Sequence, residues 1–410
     1  MNDIVRFDSA DSADREPGDP VYQQRFAVEY DYPVHFTRGV FRPDNSLLLD
    51  VLDRRREGRR HRLFVCVDQG VADSSPELVS DIKKYCHEHQ DAVELVSSPE
   101  IVPGGEAVKS DWPLVQNLMF AMGNQHLDRQ SHVLAIGGGS VLDMVGFATA
   151  LVHRGLRLVR MPSTVLAQND AGVGVKNGMN EHGMKNFLGT FAPPFAVIND
   201  FALLDTLSDE HWRGGISEAF KVAIIKDRDF FDFLCKHAVA FRRREKGPME
   251  QLVRRCAILH LQHIAKNGDP FEFGTARPLD FGHWSAHKIE VLSDYRIGHG
   301  AAVAAGVALD SYYAMKKGLI KKTDLERIVK GLIGSGLRVY YPEMSMRGAS
   351  GGLGLLVGLD EFREHLGGEL TITLPDGIGK KCEVHHMNVD LVEEGIFYLR
   401  DFSSGQKSVG

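Results

Sequence analysis

The chain has 410 residues, enough for two ordinary domains with sizeable cores. With 43% hydrophobic and 25% charged residues its composition is that of a globular protein, which excludes wholesale disorder. A net charge of -7, from 48 basic and 55 acidic residues, argues against a nucleic-acid or anionic-membrane partner; a phosphorylated substrate needs only a local cluster of cations.

Residues 1–20 are polar and acidic and read as a disordered leader, with no apolar h-region. Alternation from Phe26 to Phe41 predicts a strand or hairpin, and Arg62–Val67 a buried parallel strand ending at Asp68. A helix over about 75–89, a strand near 92–97, a helix near 111–126 and a strand at 132–136 follow. This rhythm predicts a parallel sheet covered on both faces. Beyond Leu207, where the domain boundary is placed, the periodicity turns helical: 209–240, 248–266, 283–292, 300–317 and 322–335. A short β excursion near 369–374, a last helix near 388–400 and a frayed tail at 403–410 complete the chain. The domains are therefore expected at 21–207 and 208–402. Five scattered cysteines with no CxxC pair indicate reduced thiols, and no stretch of about 18 apolar residues occurs, so a soluble cytoplasmic protein is expected.

The strand at 132–136 runs into Gly137-Gly138-Gly139-Ser140 and then a helix. Glycines let the backbone approach a phosphate, and the helix N-terminus offers N–H groups and its dipole to a dinucleotide pyrophosphate. Ser140 is expected to cap that helix, with Asp143 on its first turn. The run is not G-x-G-x-x-G, so an ordinary Rossmann label does not apply. Asp68 either accepts a ribose hydroxyl or caps a turn. Glu106, Lys109, Ser163 and Thr164 add polar groups along the same sheet edge.

The second half carries Glu218 in Gly-Gly-Ile-Ser-Glu-Ala-Phe-Lys, His283 in Asp-Phe-Gly-His-Trp-Ser-Ala-His and His299 in Ile-Gly-His-Gly. One carboxylate and two imidazoles from separate segments suit a divalent metal with open positions, as catalytic zinc requires. His287, four residues after His283, shares its helix face and is an alternative ligand. Lys176 and Lys185 flank Gly-rich turns, and Lys221 shares the face of Glu218. Cations around a metal suit a substrate with a phosphate and ionisable hydroxyls. A nucleotide site followed by a metal site suggests oxidation of an alcohol.

From about residue 60 to about 390 the chain resembles the sugar phosphate cyclases, the family of 3-dehydroquinate synthase. The resemblance rests on Gly-Gly-Gly-Ser-Val-Leu-Asp-Met-Val-Gly-Phe (137–147), Arg154-Gly155, Pro-Ser-Thr (162–164), Asp170 through Lys176, Gly-Met-Lys-Asn (183–186), Asp200 with Leu-Leu-Asp-Thr-Leu (203–207), Glu218 through Lys221 and Phe-Gly-His (281–283). It implies an α/β NAD-binding N-terminal domain, a mainly helical metal-binding C-terminal domain, a site between them and a homodimer. By motif match Glu218, His283 and His299 hold Zn²⁺ or Co²⁺. Asp170, Lys176, Asn186, Lys221 and His287 line the substrate pocket, with Lys185 beside them. Arg154 reaches across the dimer to a phosphate. Asp143, Thr164 and Thr206 contact NAD, alongside Asp68, Glu106, Lys109, Gly138, Gly139, Ser140 and Ser163.

Departures narrow the resemblance. Asp280 stands where dehydroquinate synthases typically have Asn, and Gln262 or His263 where they have a Lys that recognises a substrate carboxylate. The late Asp-Lys-Lys element is replaced near Glu361-Phe-Arg363-Glu364-His365. Like charge at short range disfavours a carboxylate substrate. With Arg277, the pattern is most similar to cyclases of sedoheptulose 7-phosphate of the 2-epi-valiolone and ebo-cluster type. The expected reaction closes a seven-carbon ketose phosphate by transient NAD oxidation, phosphate elimination and aldol closure. The alternatives are a 2-epi-5-epi-valiolone or 3-dehydroquinate synthase-like cyclase, a metal-dependent polyol dehydrogenase, and an inactive scaffold.

Overall fold

Residues 63–68 and 132–137 are buried along their whole length, as strands covered on both faces must be. The computed structural model describes residues 24, 26–182, 184–266, 279–348, 351–365 and 368–405. Its N-terminal half runs β1 (Val34–Thr37), α1 (Leu47–Leu52), β2 (His61–Asp68), α2 (Gln69–Ser74), α3 (Leu78–Glu88), β3 (Val93–Leu95), β4 (Glu100–Val102), α4 (Trp112–Asn124), β5 (His132–Gly137), α5 (Gly139–Leu151), β6 (Arg157–Pro162), α6 (Val165–Asn169), β7 (Lys176–Glu181), β8 (Met184–Phe191) and β9 (Ala196–Asp200). The remainder is α7 (Asp209–Lys226), α8 (Arg228–Arg242), α9 (Lys246–Lys266), α10 (His283–Leu292), α11 (His299–Lys316), α12 (Lys322–Gly334), α13 (Val357–His365), β10 (Ile372–Pro375), β11 (Lys381–Val384) and α14 (Val389–Gly405).

The main sheet is parallel, ordered β1-β9-β6-β5-β2-β3, with β4 also on β2. Side chains alternate between its faces: Leu63, Val65 and Val67 of β2 enter one core, Phe64 and Cys66 the other. The chain leaves β2 toward β3 and β4, then returns through β5 on the opposite side. That reversal opens a crevice at the C-terminal ends of β2 and β5, the usual ligand position in such sheets. Asp68 and Gly137 sit there.

The C-terminal helices bury a separate large core that includes Trp212, Phe220, Phe281 and Trp284. Two close backbone crossings hold its helices in place. Gly282 adopts φ +80, and a Cβ there would lie 2.7 Å from the Val307 nitrogen. A Cβ at Gly300 would overlap the backbone of Gly214, so α11 starts against α7 without a side chain between them. Among the described residues no helix is long and apolar enough to cross a membrane.

Several expectations need correction. Of the span Phe26–Phe41, only Val34–Thr37 forms a strand, at the sheet edge. The single helix expected over 209–240 is two, because Asp227 leaves helical geometry and its side chain caps α8 by accepting from the Phe230 N–H. The Gly-rich turns around Lys176 and Lys185 are in fact an antiparallel hairpin, β7–β8. The leader at 1–20, Arg277 and the end of the tail lie outside the described residues.

Candidate functional site

Glu218 sits in the middle of α7, a helix whose Ser208 cap accepts from the His211 N–H at 3.3 Å. His283 and His299 are the first residues of α10 and α11, and Gly282 precedes His283 in the left-handed region. The two glycine crossings bring these helix starts against α7. As a result one ligand atom from each of Glu218, His283 and His299 lies within 4.8 Å of the other two. Nε2 of His283 is 3.7 Å, and Nε2 of His299 3.4 Å, from Glu218 Oε1. Lys221 forms an ion pair with the other oxygen. Both Glu218 oxygens are fully buried, and neither receives a hydrogen bond of good geometry from a described residue. An acceptor pair left this way inside a protein, beside two imidazole nitrogens, is the donor set a zinc-like dication satisfies.

The electrostatics agree. Burial alone would raise the Glu218 carboxyl, yet Lys221 and His299 hold it down at about 2. Burial opposes charge on His299 as well, but the Glu218 and Glu290 carboxylates outweigh it and raise the imidazole to about 10. His283 is pushed well below its usual value, by burial first and then by Lys221. This anionic corner thus takes up a proton when nothing else neutralises it, and a dication would replace that proton.

Glu290, not among the residues the sequence singles out, supports the centre. Its Oε2 lies 3.2 Å from His299 Nδ1, while Lys185 holds its other oxygen at 2.9 Å. A carboxylate on the far nitrogen fixes the ring and its tautomer. Helical spacing was the available signal: Glu290 follows His287 by three residues and His283 by seven. Glu290→Gln is therefore expected to weaken metal binding about 10–100-fold, as loss of such outer partners does. Competition with a chelator checks this, and an unchanged affinity would refute the support role.

His260 is likewise unmarked in the sequence. Its Nδ1 stands 2.9 Å from Asp170 Oδ1. Burial raises the Asp170 carboxyl, but His260 and Lys221 bring it below its usual value. Nothing in the spacing of α9 singles out this histidine; only the packing of α6 against α9 does. Asp280 is near enough for its charge to act on Lys221. His287 is exposed, with its ring stacked 5.9 Å from that of His299.

At the sheet edge, α5 begins at Gly139 with Gly138 as an N-cap that provides no side-chain hydrogen bond. Ser140 is thus not the cap; its hydroxyl donates to Glu106 Oε2 at 2.8 Å. A Cβ on Gly138 or Gly139 would come into ordinary contact with its nearest neighbour, the Thr164 methyl or Ala171 Cβ, at 3.6 Å. A helix start without a side-chain cap fits a pyrophosphate. Asp68 does cap α2, accepting from the Gly70 N–H at 2.8 Å, and its other oxygen reaches the Gly138 N–H at 3.5 Å. Ser163 is buried, Thr164 caps α6 by accepting from the Ala167 N–H at 3.1 Å, and exposed Thr206 meets Ser74 at 3.4 Å.

The hairpin bridges the two ends. Lys109 is buried and bonds to Asp143 at 2.7 Å and to Asn186. Glu106 also accepts from Asn180 on β7 at 3.1 Å. Lys185 on β8 then reaches Glu290, and Glu290 reaches His299. Two polar clusters therefore occupy the hairpin, one at the glycine turn ending on Asn186 and one from Lys185 through Glu290 to His299, on adjacent residues of β8. Lys176 and Arg154 are exposed, and Arg154 lies just past α5 with φ +66.

Residues 100–214 match the model of the 3-dehydroquinate synthase N-terminal domain, and 215–350 that of the C-terminal domain. The chain belongs to the 3-dehydroquinate synthase family. It is 32% identical over 350 residues to 3-dehydroquinate synthase of Nitrosospira multiformis, covering 85% of this chain and 89% of that one. It is 33% identical over 359 residues to 2-epi-5-epi-valiolone synthase of Streptomyces glaucescens, covering 87% of each. In structure it is similar to ValA, a 2-epi-5-epi-valiolone synthase from Streptomyces hygroscopicus subsp. jinggangensis solved with NAD+ and Zn2+ bound. That match has a TM-score of 0.80 at 26% identity and covers 93% of this chain and 99% of ValA. Within the 3-dehydroquinate synthase family, then, this is a sugar phosphate cyclase with an α/β N-terminal part and a mostly helical C-terminal part.

Proposed function

We propose that the protein converts sedoheptulose 7-phosphate to a C7 cyclitol of the 2-epi-valiolone type, releasing inorganic phosphate. The observation that carries this reading is Asp280, an acidic residue whose backbone carbonyl accepts from the His283 N–H at 2.9 Å, at the edge of the corner formed by Glu218, His283 and His299. An anionic residue there favours substrate hydroxyls over a substrate carboxylate. Gln262 or His263 follows the same logic, because neither is the carboxylate-binding lysine that the resemblance to 3-dehydroquinate synthases leads one to expect.

In this reading residues 21–207 bind NAD and 208–402 hold the metal and the sugar. Glu218, His283 and His299 hold Zn²⁺ or Co²⁺, and the glycine turn with Asp68, Ser140, Asp143, Ser163, Thr164 and Thr206 holds NAD. When bound, NAD supplies a reversible hydride acceptor and the metal a Lewis acid that acidifies a coordinated hydroxyl. The protein's own groups orient and neutralise. Lys176, Lys185, Asn186, Arg277 and His287 bind the phosphate, joined by Arg154 from the second subunit of a homodimer. Their cationic charge stabilises the phosphate as its C–O bond breaks. Asp170 holds His260 and Lys221 in place, and His287 carries a proton to or from the departing phosphate. Overall, sedoheptulose 7-phosphate would give cyclitol and inorganic phosphate with no net redox change, NAD serving as a recycled hydride acceptor.

Phosphate release from sedoheptulose 7-phosphate, with NAD and Zn²⁺ or Co²⁺, is the expected result, with no accumulation of NADH. Family membership and 32% identity to a 3-dehydroquinate synthase favour one rival, a cyclase of the corresponding C7 acid phosphate. Release from the acid phosphate alone would establish that rival and overturn the present substrate. Asp280→Asn is expected to shift preference toward the acid by about tenfold or more, since a like charge at close range is removed.

A further inference from the structure

The turn between α1 and β2 reads Arg-Arg-Arg-Glu-Gly-Arg-Arg-His-Arg over 54–62, six arginines in nine residues. The net charge of -7 conceals this concentration. The turn lies at the N-terminal end of the parallel sheet, where β2 starts at His61, β5 at His132 and β6 at Arg157. The glycine turn follows the opposite ends of the same strands. The arginine turn frames a cleft of about 710 Å³, within the range of roughly 300–1,000 Å³ usual for small-molecule sites.

Three features mark the cleft as built for an anion. First, Arg54 of the lining shares one ring, Phe195, with Arg55 and Arg157 from outside the cleft, their guanidinium groups 4.9, 5.5 and 5.3 Å from its centroid. Cations gathered this closely repel one another unless something neutralises them. Second, the described residues neutralise the exposed arginines of the turn only in part. Glu57 pairs with Arg157 and Arg59, while Arg55 and Arg56 make no ion pair among the described residues. Third, His61 lines the cleft, is 4% exposed, and has Nε2 3.1 Å from Asp53 but no partner on Nδ1.

We propose that this cleft binds a small phosphate ester that also carries hydroxyl groups, a sugar phosphate or a nucleoside phosphate, at a site separate from the reaction centre. Arg56, Arg59 and Arg60 take the phosphate, as guanidinium forks do. Asp50 and Asp91, also in the lining, accept hydroxyl donors. These acids break up the positive surface, which disfavours a nucleic-acid backbone needing an unbroken cationic track. They suit a compact ligand with one charged end.

The test is hydrogen–deuterium exchange on the full chain with ADP and with ribose 5-phosphate, comparing wild type with Arg56→Glu/Arg60→Glu. Both substituted residues are exposed, so the variant is expected to keep its melting midpoint and its phosphate-release activity. The expected result is ligand-dependent protection of peptides over 53–61, weakened at least about tenfold in the variant by the lost charge-assisted bonds. Protection by ADP alone identifies a nucleoside phosphate, and by ribose 5-phosphate alone a sugar phosphate. Failure of both ligands at millimolar concentration to protect 53–61 would overturn the proposal. So would protection by a uridine-rich RNA alone, which would make the surface a nucleic-acid contact.

Discussion

Glu218→Gln is expected to leave the purified protein without metal and to lower turnover about a thousandfold or more, the equivalent of several kcal/mol of lost charge stabilisation. An amide keeps the size of the side chain but removes the charge. It also offers an N–H₂ where a buried imidazole, a half-buried one and an ammonium need an acceptor. The same change has a structural effect. Lys221 is 2% exposed and pairs with Glu218, so the substitution leaves a buried ammonium without its nearest counter-charge. Breaking one side of such a pair destabilises by about 3–5 kcal/mol. Metal analysis and melting curves, with and without added Zn²⁺, separate the two effects. A variant that keeps a stoichiometric metal ion would remove Glu218 from the ligand set.

Asp310 gives the second large expectation, one of pH dependence. This carboxylate on α11 is fully buried, accepts from the Trp284 Nε1–H at 2.9 Å and from the Gly282 N–H at 3.0 Å, and so ties the start of α10 to α11. Burial raises its pKa to about 7, against the smaller lowering effect of those two donors. In the unfolded chain the group has its ordinary value of 3.8. The folded state therefore keeps a proton that the unfolded state releases, and stability falls as pH rises from about 4 to about 7. A shift of three units corresponds to about 4 kcal/mol across that window. Asp310→Asn has no proton to lose, so wild type should lose stability relative to the variant over the same range. Denaturant unfolding at pH 4, 5.5 and 7 checks this. Parallel curves would mean that Asp310 is already ionised in the folded protein at low pH. Because Gly282 and Trp284 flank His283, the tie also sets where that imidazole starts its helix.

Local rules make much of the molecule legible in its sequence. Unbroken apolar runs such as 63–67 and 133–136 had to become strands covered on both faces, and glycines after a strand and before a helix marked the nucleotide edge. The long amphipathic segments after Leu207 are helices, except where Asp227 preferred to cap rather than continue. The β7–β8 hairpin was hidden because Lys176–Glu181 and Met184–Phe191 alternate too weakly in hydrophobicity for a period-two reading. Its register depends instead on packing against α5, where Gly146 leaves room for the Asn177 side chain. Ser140 followed the cap preference of its residue type, but the helix began two residues earlier, with Gly138 as its cap, and released the Ser140 hydroxyl to Glu106.

By itself the amino-acid sequence determined most of the secondary elements, the two kinds of core, the glycine turn and the three side chains, Glu218, His283 and His299, whose ligand atoms meet within 4.8 Å. These follow from periodicity and residue chemistry, which act over a few neighbouring positions. Only the tertiary structure decided that Glu290 supports His299, that His260 pairs with Asp170, that Asp310 joins two helices, and that Arg54, Arg56, Arg59 and Arg60 line a cleft. Each of those contacts joins groups separated along the chain, and their positions depend on helix crossings and sheet order that no local pattern records.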